Sequence, residues 1–444
     1  MDFIMDKQTY ADLEIFEAKG GINTIFKFFN RAISIGGKEE LLAMFNYPLS
    51  DLKKTQERQD LIRYVVFGKK LPLFIDILMD KYFFDFIEAY LSMGNKPIKV
   101  SWIDTWHKAL KYKLNPTNEY YLMQRGIEYV VSFLQKLYSY VIEDPEQNRP
   151  YLLEQMFSFV KESIQNTELR RIIGYSINKI NAIERERFDY IFRYCEYGRL
   201  KDIIRIVYQL DAFQAIANTA VEFGLVFPEL LENKTIEITG LRHLFVENAV
   251  TNDIIINEEG NMFFLTGANM AGKSTFLKAF GVAVYLAHIG FPVPAASMRT
   301  GIFSGLFSTI NIADNLNKGY SHFYNEVLRV KNVAEEINQT RNLVVIFDEL
   351  FRGTNLKDAY DASLAIISAF AKIKGSIFLM STHIMELAEQ LRKLKNIRFG
   401  YFHTTIERKT PIYSYRLCDG VTEERIGMLI IENERIVEII NAKC

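Results

Sequence analysis

The sequence predicts an α-helical domain followed by an α/β domain with a largely parallel sheet. Before residue 230, apolar residues recur at spacings of three and four and glycines are few, which favours amphipathic helices. From about Leu231, short apolar runs alternate with helical stretches. These runs are apolar throughout, as in parallel strands that helices cover on both faces. The predicted domains are residues 1–230 and 231–444.

Length, charge and cysteine content restrict the class of protein. The 444 residues are 49% hydrophobic and 24% charged, enough to bury large cores without disulfides. The 53 Lys and Arg against 54 Asp and Glu exclude nucleic-acid binding through bulk positive charge alone. Three scattered cysteines indicate free thiols in a reducing compartment. Since no apolar run reaches about 18 residues and no signal peptide is recognisable, we expect a cytoplasmic protein with no membrane span.

The helical half contains five stretches with clear helical periodicity. They are residues 41–67, 70–93, 118–143, 150–165 and 198–223. Proline and glycine residues mark the breaks between them, for example at Asn115-Pro116, Asp144-Pro145 and Gly174. The sequence therefore predicts several long helices in this half.

The C-terminal half alternates predicted strands and helices. Strands are predicted at 261–266, 343–347 and 376–381, and helices from Lys273, over 357–373 and from about His383. Two later β-rich segments, 396–406 and 411–417, are predicted to add an antiparallel edge.

A glycine loop between the first strand and the first helix predicts a nucleotide site. Residues 267–274 fit the pattern G-x-x-x-x-G-K-[ST]. Gly267 and Gly272 let backbone N–H groups surround phosphate oxygens, and the following helix begins at its positive end. Lys273 is expected to reach the β- and γ-phosphates, and Ser274, followed by Thr275, to ligate Mg²⁺.

Polar residues follow the next two apolar strands. Asp348 and Glu349 end the run VVIFDE, at the edge of a parallel sheet where ligands bind. Asp348 is expected to hold Mg²⁺, and Glu349 to orient or deprotonate the attacking water. His383, after the third strand, is a candidate hydrogen-bond donor to the γ-phosphate. Considered alone, Asp348 and Glu349 could equally be solvated acids at the end of an ordinary strand. Considered alone, His383 is more often a helix cap or a surface residue.

Together these segments resemble the ATPase domain of the MutS family of DNA mismatch-repair proteins. GANMAGKSTFL follows the family's phosphate loop and includes Asn269 and Met270, which a generic loop of this kind does not require. DELFRGTN, from Asp348, and STHIMEL, from Ser381, resemble the family's next two motifs. Residues 240–256 resemble the start of its domain, with Arg242, His243, Asn252 and Asp253 matching.

Residues 312–327, IADNLNKGYSHFYNEV, resemble the family's signature segment. Gly319, Ser321, Phe323 and Glu326 match it. The resemblance implies ATP and Mg²⁺ as ligands. It also implies a homodimer in which each nucleotide lies between the phosphate loop of one subunit and Ser321 of the other.

The resemblance extends more weakly to the helical half and departs from the family there. Residues 6–16 and 41–65 resemble the start of the core, or lever, domain, and 208–220 its last helix. The lever pattern begins within the first ten residues, so we expect neither the mismatch-reading domain nor the connector. No β-rich clamp is recognisable. Where the family has an aromatic residue near the adenine, this chain has Ala249-Val250-Thr251, so no adenine contact is assigned.

The leading hypothesis is a Mg²⁺-dependent ATPase of the mismatch-repair or recombination type. Because the reader domain is not expected, DNA engagement should be directed by DNA structure, such as branching, rather than by mismatched bases. The alternative is a nucleotide-gated scaffold that binds ATP and a protein partner without DNA contact. A third class, an ABC-type ATPase with an unrelated duty, is disfavoured by Asn269-Met270 and DELFRGTN.

Overall fold

A computed structural model describes most of the chain. The described residues are 3–18, 23–67, 82–94, 118–143, 148–310, 322–351, 353–407, 410–422, 433 and 436–441. The predicted helix at 70–93 and the signature residues Gly319 and Ser321 lie partly or wholly outside them. Within the described part, no helix is both long enough and apolar enough to cross a membrane.

The chain divides into two compact units that are not contiguous in sequence. Unit 1 contains residues 1–28, 46–59 and 222–444, and unit 2 contains residues 29–45 and 60–221. The N-terminal residues therefore cluster with the C-terminal half. The domain bounds 1–230 and 231–444 stay a prediction.

Among the described residues, α-helices account for nearly all the regular structure before residue 224, as the periodicity predicts. Those before residue 224 are α1 Lys7–Asp12, α2 Ile25–Phe29, α3 Ile35–Asn46, α4 Leu52–Val66, α5 Phe83–Leu91, α6 Asn118–Glu143, α7 Tyr151–Gln165, α8 Leu169–Ile173, α9 Ala182–Tyr190 and α10 Tyr197–Phe223. The stretch 41–67 is not one helix, because the chain breaks between α3 and α4 at Pro48, which disfavours helical backbone at the residue before it.

In unit 2, a buried carboxylate caps the start of a helix, which the local periodicity of the sequence does not indicate. The carboxylate of Asp211, on α10, accepts hydrogen bonds from the backbone N–H groups of Ile33 and Ser34 at 3.1 and 2.8 Å. It therefore binds free N–H groups at the start of α3. Gly36 in α3 allows close packing, since a Cβ there would lie 2.1 Å from the ring of Tyr208.

The C-terminal half contains ten strands and five helices among the described residues. The helices are α11 Lys273–His288, α12 His322–Thr340, α13 Leu356–Ala371, α14 Glu386–Leu391 and α15 Ile436–Asn441. The strands are β1 Glu229–Leu231, β2 Ile236–Leu241, β3 Asn252–Ile256, β4 Met262–Thr266, β5 Ser297–Gly301, β6 Gly305–Thr309, β7 Leu343–Asp348, β8 Ile377–Ser381, β9 Ile397–Glu407 and β10 Thr410–Asp419.

The described strands form two sheets, and the larger one positions the predicted site. Its strand order is β10-β9-β4-β8-β7-β6, and the smaller sheet has the order β1-β5-β2-β3. The predicted strands at 261–266, 343–347 and 376–381 are confirmed as β4, β7 and β8, which pair in parallel and are buried on both faces. Their carboxyl ends consequently meet at one edge of the sheet.

The predicted antiparallel edge is correct for β10 and wrong for β9. β9 pairs with β4 in parallel, and β10 pairs with β9 in the antiparallel direction. The helix predicted from about His383 also begins later, at Glu386. The residues of a strand indicate burial but not direction, which depends on the neighbouring strand.

The N-terminal residues of unit 1 cover the free edge of the larger sheet at β6. Ile4 pairs with Gly305 in a parallel bridge. The buried carboxylate of Asp12, on α1, accepts hydrogen bonds from Ser308 Oγ and from the Ile310 backbone N–H, both at 2.9 Å. These contacts close an edge that would otherwise expose unpaired backbone groups.

Arg329, on α12, strengthens the same contact. Its guanidinium pairs with the Asp6 carboxylate and donates to the Ser308 carbonyl at 2.7 Å. Burial raises the pKa of Asp6, but the hydrogen bonds and positive charge of Arg329, with the bonds from Thr9, outweigh it and lower the pKa below its usual range.

Candidate functional site

The glycine loop has the backbone that its sequence requires. Gly267 and Gly272 have φ values of +140° and +104°, where a side chain is strained. Between them, Met270 also has a positive φ, and its side chain is 76% exposed. Asn269 is exposed beside it. The loop therefore adopts a conformation that needs its two glycines.

Lys273 begins α11 and turns back over the loop. Its side chain is only 5% exposed, and Nζ donates to the carbonyls of Gly267 and Ala268 at 2.9 and 3.0 Å. Ser274 and Thr275 follow in the first turn of α11 and are exposed. This turn presents free N–H groups and a partial positive charge, an arrangement suited to an anion.

The side chain of Asp348 ends β7 and lies next to Ser274. Ser274 Oγ donates to Oδ2 of Asp348, and Ser381 Oγ, at the end of β8, donates to Oδ1. Asp348 is 7% exposed. A hydroxyl and a carboxylate that meet in this way offer the oxygen ligands that Mg²⁺ prefers.

Glu349 and His383 converge in the same place. Nε2 of His383 contacts Oε1 of Glu349, and Nζ of Lys273 lies 3.8 Å from that oxygen. Glu349 is buried and has a φ of +55°, an uncommon conformation that occurs often at functional sites. Its backbone N–H donates to the Ser381 carbonyl at 3.1 Å, which fixes this turn against β8.

These groups lie at a cavity of about 950 Å³. Eight of the predicted site residues line it directly: Asn269, Met270, Gly272, Lys273, Ser274, Thr275, Glu349 and His383. Asp348 is bonded to Ser274, and Gly267 is buried at the start of the loop. The lining also includes residues from 241–252, with Phe402 and Tyr415.

Tyr415 is a site residue that the sequence motifs did not indicate. A Cβ on Gly272 would lie 3.2 Å from its ring, which is thus packed against the glycine loop. Tyr415 is 47% exposed and sits at a bulge in β10 with a φ of +54°. Asn252 holds this bulge, because its amide donates to the Tyr415 carbonyl at 3.0 Å and accepts from the Leu417 N–H at 2.7 Å.

His243 contributes a neutral ring to the cavity wall. Burial and the charge of Lys278 lower its pKa, while Glu14 partly opposes them. Its Nδ1 accepts a hydrogen bond from the Phe245 N–H at 3.3 Å, so Nε2 carries the ring proton. The guanidinium of Arg242 donates a hydrogen bond to the Phe223 carbonyl. The carboxylate of Asp253 accepts a hydrogen bond from the Gly240 N–H.

Ser321, predicted to act on the nucleotide of a second subunit, lies outside the described residues. Of the other signature residues, Phe323 packs against Phe351 with ring centroids 5.6 Å apart, and Glu326 is 8% exposed. Both belong to α12 of unit 1. The role of Ser321 stays a prediction.

A model of a known protein family matches this region of the chain. Residues 263–443 match the model described as MutS domain V. The match contains the glycine loop, Asp348, Glu349, His383 and Tyr415.

Similar proteins extend the likeness towards the N-terminus. The chain is 30% identical to the DNA mismatch repair protein MutS of Aquifex pyrophilus over 322 residues, covering 69% of this chain and 37% of that protein. It is 28% identical to the MutS of Halalkalibacterium halodurans over 326 residues, with the same coverage. For the MutS of Geobacillus sp. (strain WCH70), identity is 31% over 53% of this chain and 28% of that protein. The chain thus spans about a third of the length of the curated relatives it matches.

Proposed function

Since the chain is a member of the MutS family, with the ATPase domain as the matched region, we propose that it binds ATP with Mg²⁺ and hydrolyses it. The observation on which this rests is the convergence of Lys273, Ser274, Asp348, Glu349 and His383 at one cavity. Each lies at the carboxyl end of a parallel strand, shortly after it, or at the start of the helix that follows it.

The glycine loop and α11 would hold the triphosphate. Backbone N–H groups and the helix N-terminus would bind phosphate oxygens. Lys273 now bonds the carbonyls of Gly267 and Ala268, and it would exchange these bonds for β- and γ-phosphate oxygens, a stronger charge-assisted interaction.

The donor set beside the loop fits Mg²⁺. Ser274 Oγ and the Asp348 carboxylate are oxygen ligands, and one carboxylate with phosphate oxygens is a usual environment for this ion. When bound, Mg²⁺ neutralises charge that develops on the phosphates. Ser274 Oγ can give a lone pair to the ion while its O–H group still donates a hydrogen bond to Asp348.

Glu349 would hold and deprotonate the attacking water, and His383 would donate a hydrogen bond to the γ-phosphate. In the structure Glu349 is paired with both Lys273 and His383. A triphosphate competes for both side chains, which would release Glu349 to act as a base. Tyr415 and the neutral ring of His243 would supply flat surfaces for the adenine.

The wider function would couple this hydrolysis to DNA. We propose a homodimer with composite nucleotide sites completed by Ser321 of the second subunit, a cytoplasmic location, and DNA binding directed by DNA structure rather than by mismatched bases. The relatives are named DNA mismatch repair proteins. ATP would favour the dimer, and hydrolysis would remove the contacts that distinguish its states.

The ATPase proposal is tested by hydrolysis and nucleotide-binding assays on purified protein. Lys273→Ala should weaken ATP binding, whereas Glu349→Gln should retain binding and lower hydrolysis by roughly a hundredfold or more, as loss of a general base does. If wild-type protein has no Mg²⁺-dependent ATPase activity, or neither variant differs from it, the proposal is wrong.

A DNA-binding measurement distinguishes this function from the alternative, a nucleotide-gated scaffold without DNA contact. The near-neutral net charge of −1 favours the scaffold. Fluorescent homoduplex, mismatched and branched DNA would be titrated with and without ATP across a salt series. Direct contact should weaken by about 0.9 log units per contacted phosphate for each log unit of salt. A lack of affinity for all three DNAs at low salt would favour the scaffold.

A further inference from the structure

Ser381 bonds the carboxylate that the proposed metal site uses, although it is not itself placed to touch a nucleotide. Its Oγ donates to Oδ1 of Asp348, while Ser274 Oγ donates to Oδ2. Ser381 is 3% exposed. The two carboxylate oxygens thus have separate hydroxyl partners, one at the cavity and one inside the sheet.

The sheet itself fixes this contact. Asp348 and Ser381 are directly paired in the parallel register of β7 and β8, the last pair of that ladder. The Glu349 N–H donates to the Ser381 carbonyl at 3.1 Å, and Ser381 pairs with Leu265 of β4 on its other side, so its backbone is held on both sides. The hydroxyl therefore reaches Asp348 from a rigid position.

A hydroxyl at Oδ1 restricts the carboxylate in a way that packing alone does not. The last torsion of an aspartate has a broad energy minimum, so its plane turns easily unless an oxygen is bonded. An ionised carboxylate only accepts hydrogen bonds, and a buried oxygen without a donor is costly. Ser381 thus fixes which oxygen faces the interior and which faces Ser274.

We propose that Ser381 is a positioning residue of the metal site. It holds the plane of the Asp348 carboxylate so that Oδ2 and Ser274 Oγ stay directed at one Mg²⁺ position, and this inference rests on the proposed function. Residues that orient a metal ligand typically contribute ten- to hundredfold to metal affinity. Ser381 should therefore affect the dependence of nucleotide binding on Mg²⁺ more than the binding of nucleotide itself.

The test titrates Mg²⁺ while the binding of a fluorescent ATP analogue, mant-ATP, is measured. In Ser381→Ala, the Mg²⁺ concentration for half-maximal enhancement should rise about tenfold or more. Affinity for mant-ATP in EDTA should stay within about twofold of wild type, because no phosphate contact is lost. Ser381→Thr, which keeps the hydroxyl, should restore the wild-type Mg²⁺ dependence. Ser381→Cys, with a weaker donor of similar shape, should be intermediate.

Ser376→Ala is the matched control. Ser376 is 1% exposed, lies at the opposite end of the same strand pair, and accepts a hydrogen bond from the Leu343 N–H at 3.1 Å. The Ser376→Ala substitution should lower the free energy of unfolding without changing the Mg²⁺ dependence of mant-ATP binding. An unchanged Mg²⁺ dependence in Ser381→Ala, or an equal shift in Ser376→Ala, would overturn the positioning role. Wild-type protein that binds no mant-ATP at any Mg²⁺ concentration would instead contradict the proposed function.

Discussion

Nε2 of His383 contacts Oε1 of Glu349, across the ends of two neighbouring strands. A histidine in this position can donate a hydrogen bond either to Glu349 or to a phosphate that enters beside it. The contact therefore couples the proposed base to the occupancy of the cavity. Because His383 is 38% exposed, it can change partner without disturbing the core.

Substitution of His383 should affect hydrolysis more than binding. We expect His383→Ala to lower ATP turnover by roughly tenfold to a hundredfold, in the range found when a positioned hydrogen-bonding or acid–base group is lost. His383→Gln, which retains a donor, should lose less. Steady-state ATPase rates and mant-ATP affinities measured on the same preparations separate the two effects.

His403, on β9, provides the control for loss of a histidine. It is half-buried, and its ring packs edge-on against Tyr401. His403→Ala should leave ATP turnover near wild type. Equal losses in His383→Ala and His403→Ala would argue against a specific role for His383.

Replacement of Tyr415 should weaken nucleotide binding. Stacking of a base on an aromatic side chain contributes about 1–3 kcal/mol, so Tyr415→Ala should raise the dissociation constant for mant-ATP roughly five- to hundredfold. Tyr415→Phe should retain most of the affinity because it keeps the ring. Fluorescence titration of mant-ATP measures both.

Tyr413 is the matched tyrosine on the same strand. Its ring centroid lies 6.2 Å from that of Tyr415, and it precedes the bulge. Tyr413→Ala should change the affinity little. If it weakens binding as much as Tyr415→Ala, the effect belongs to the hairpin and not to a stacking contact.

The role of Tyr415 illustrates what could not be predicted from the sequence. The motifs predict Lys273, Asp348 and Glu349 as site residues because each follows a strand or loop whose local pattern is clear, and the structure brings these residues close together. The contact of Tyr415 with Gly272 depends instead on the parallel pairing of β9 with β4 and on the bulge in β10. These are long-range relationships that leave no periodic signal along the chain.

The same distinction holds for the fold. The helix predicted at 118–143 is confirmed over the described residues Asn118–Glu143, because its period is strong over many turns. The clustering of residues 1–28 with the C-terminal half was not predicted. The local pattern of α1 shows a short helix but not that Asp12 bonds Ser308, which is 296 positions away.

Asp12 should be important for the stability of unit 1. Asp12→Ala removes the acceptor for the Ile310 N–H and Ser308 Oγ, and a buried donor left without a partner costs about 1–3 kcal/mol. We expect a fall of this size in the free energy of unfolding, measured by urea denaturation. Asp51→Ala, which removes an exposed helix cap at Lys54 N–H, should have a smaller effect. Equal effects would show that the contact between α1 and β6 adds nothing beyond an ordinary cap.

His288 should make the stability of unit 1 depend on pH. The ring is fully buried in α11, with Nδ1 2.7 Å from the Val284 carbonyl and Nε2 accepting from the Phe303 N–H at 2.8 Å. Both contacts suit the neutral ring with its proton on Nδ1. Protonation would place a second N–H against the Phe303 N–H, in a site that water does not reach.

Burial lowers the pKa of His288 from 6.5 to about 4. Between these values the unfolded chain binds more protons than the folded one, so the free energy of unfolding falls as the pH decreases from 6.5 towards 4. From pH 7.5 to pH 5.0 the loss from this group should be about 2 kcal/mol, at 1.36 kcal/mol per pKa unit. Above pH 6.5 the group adds almost no pH dependence.

Comparison with His288→Gln isolates this contribution from that of the carboxylates. The variant should be less stable than wild type at pH 7.5, because glutamine does not reproduce both ring contacts. Since it does not titrate, the difference in unfolding free energy between the two proteins should shrink by about 2 kcal/mol at pH 5.0. Urea unfolding at the two pH values measures this difference. If the difference in unfolding free energy is the same at both pH values, then burial beside Val284 and Phe303 does not lower the pKa of His288.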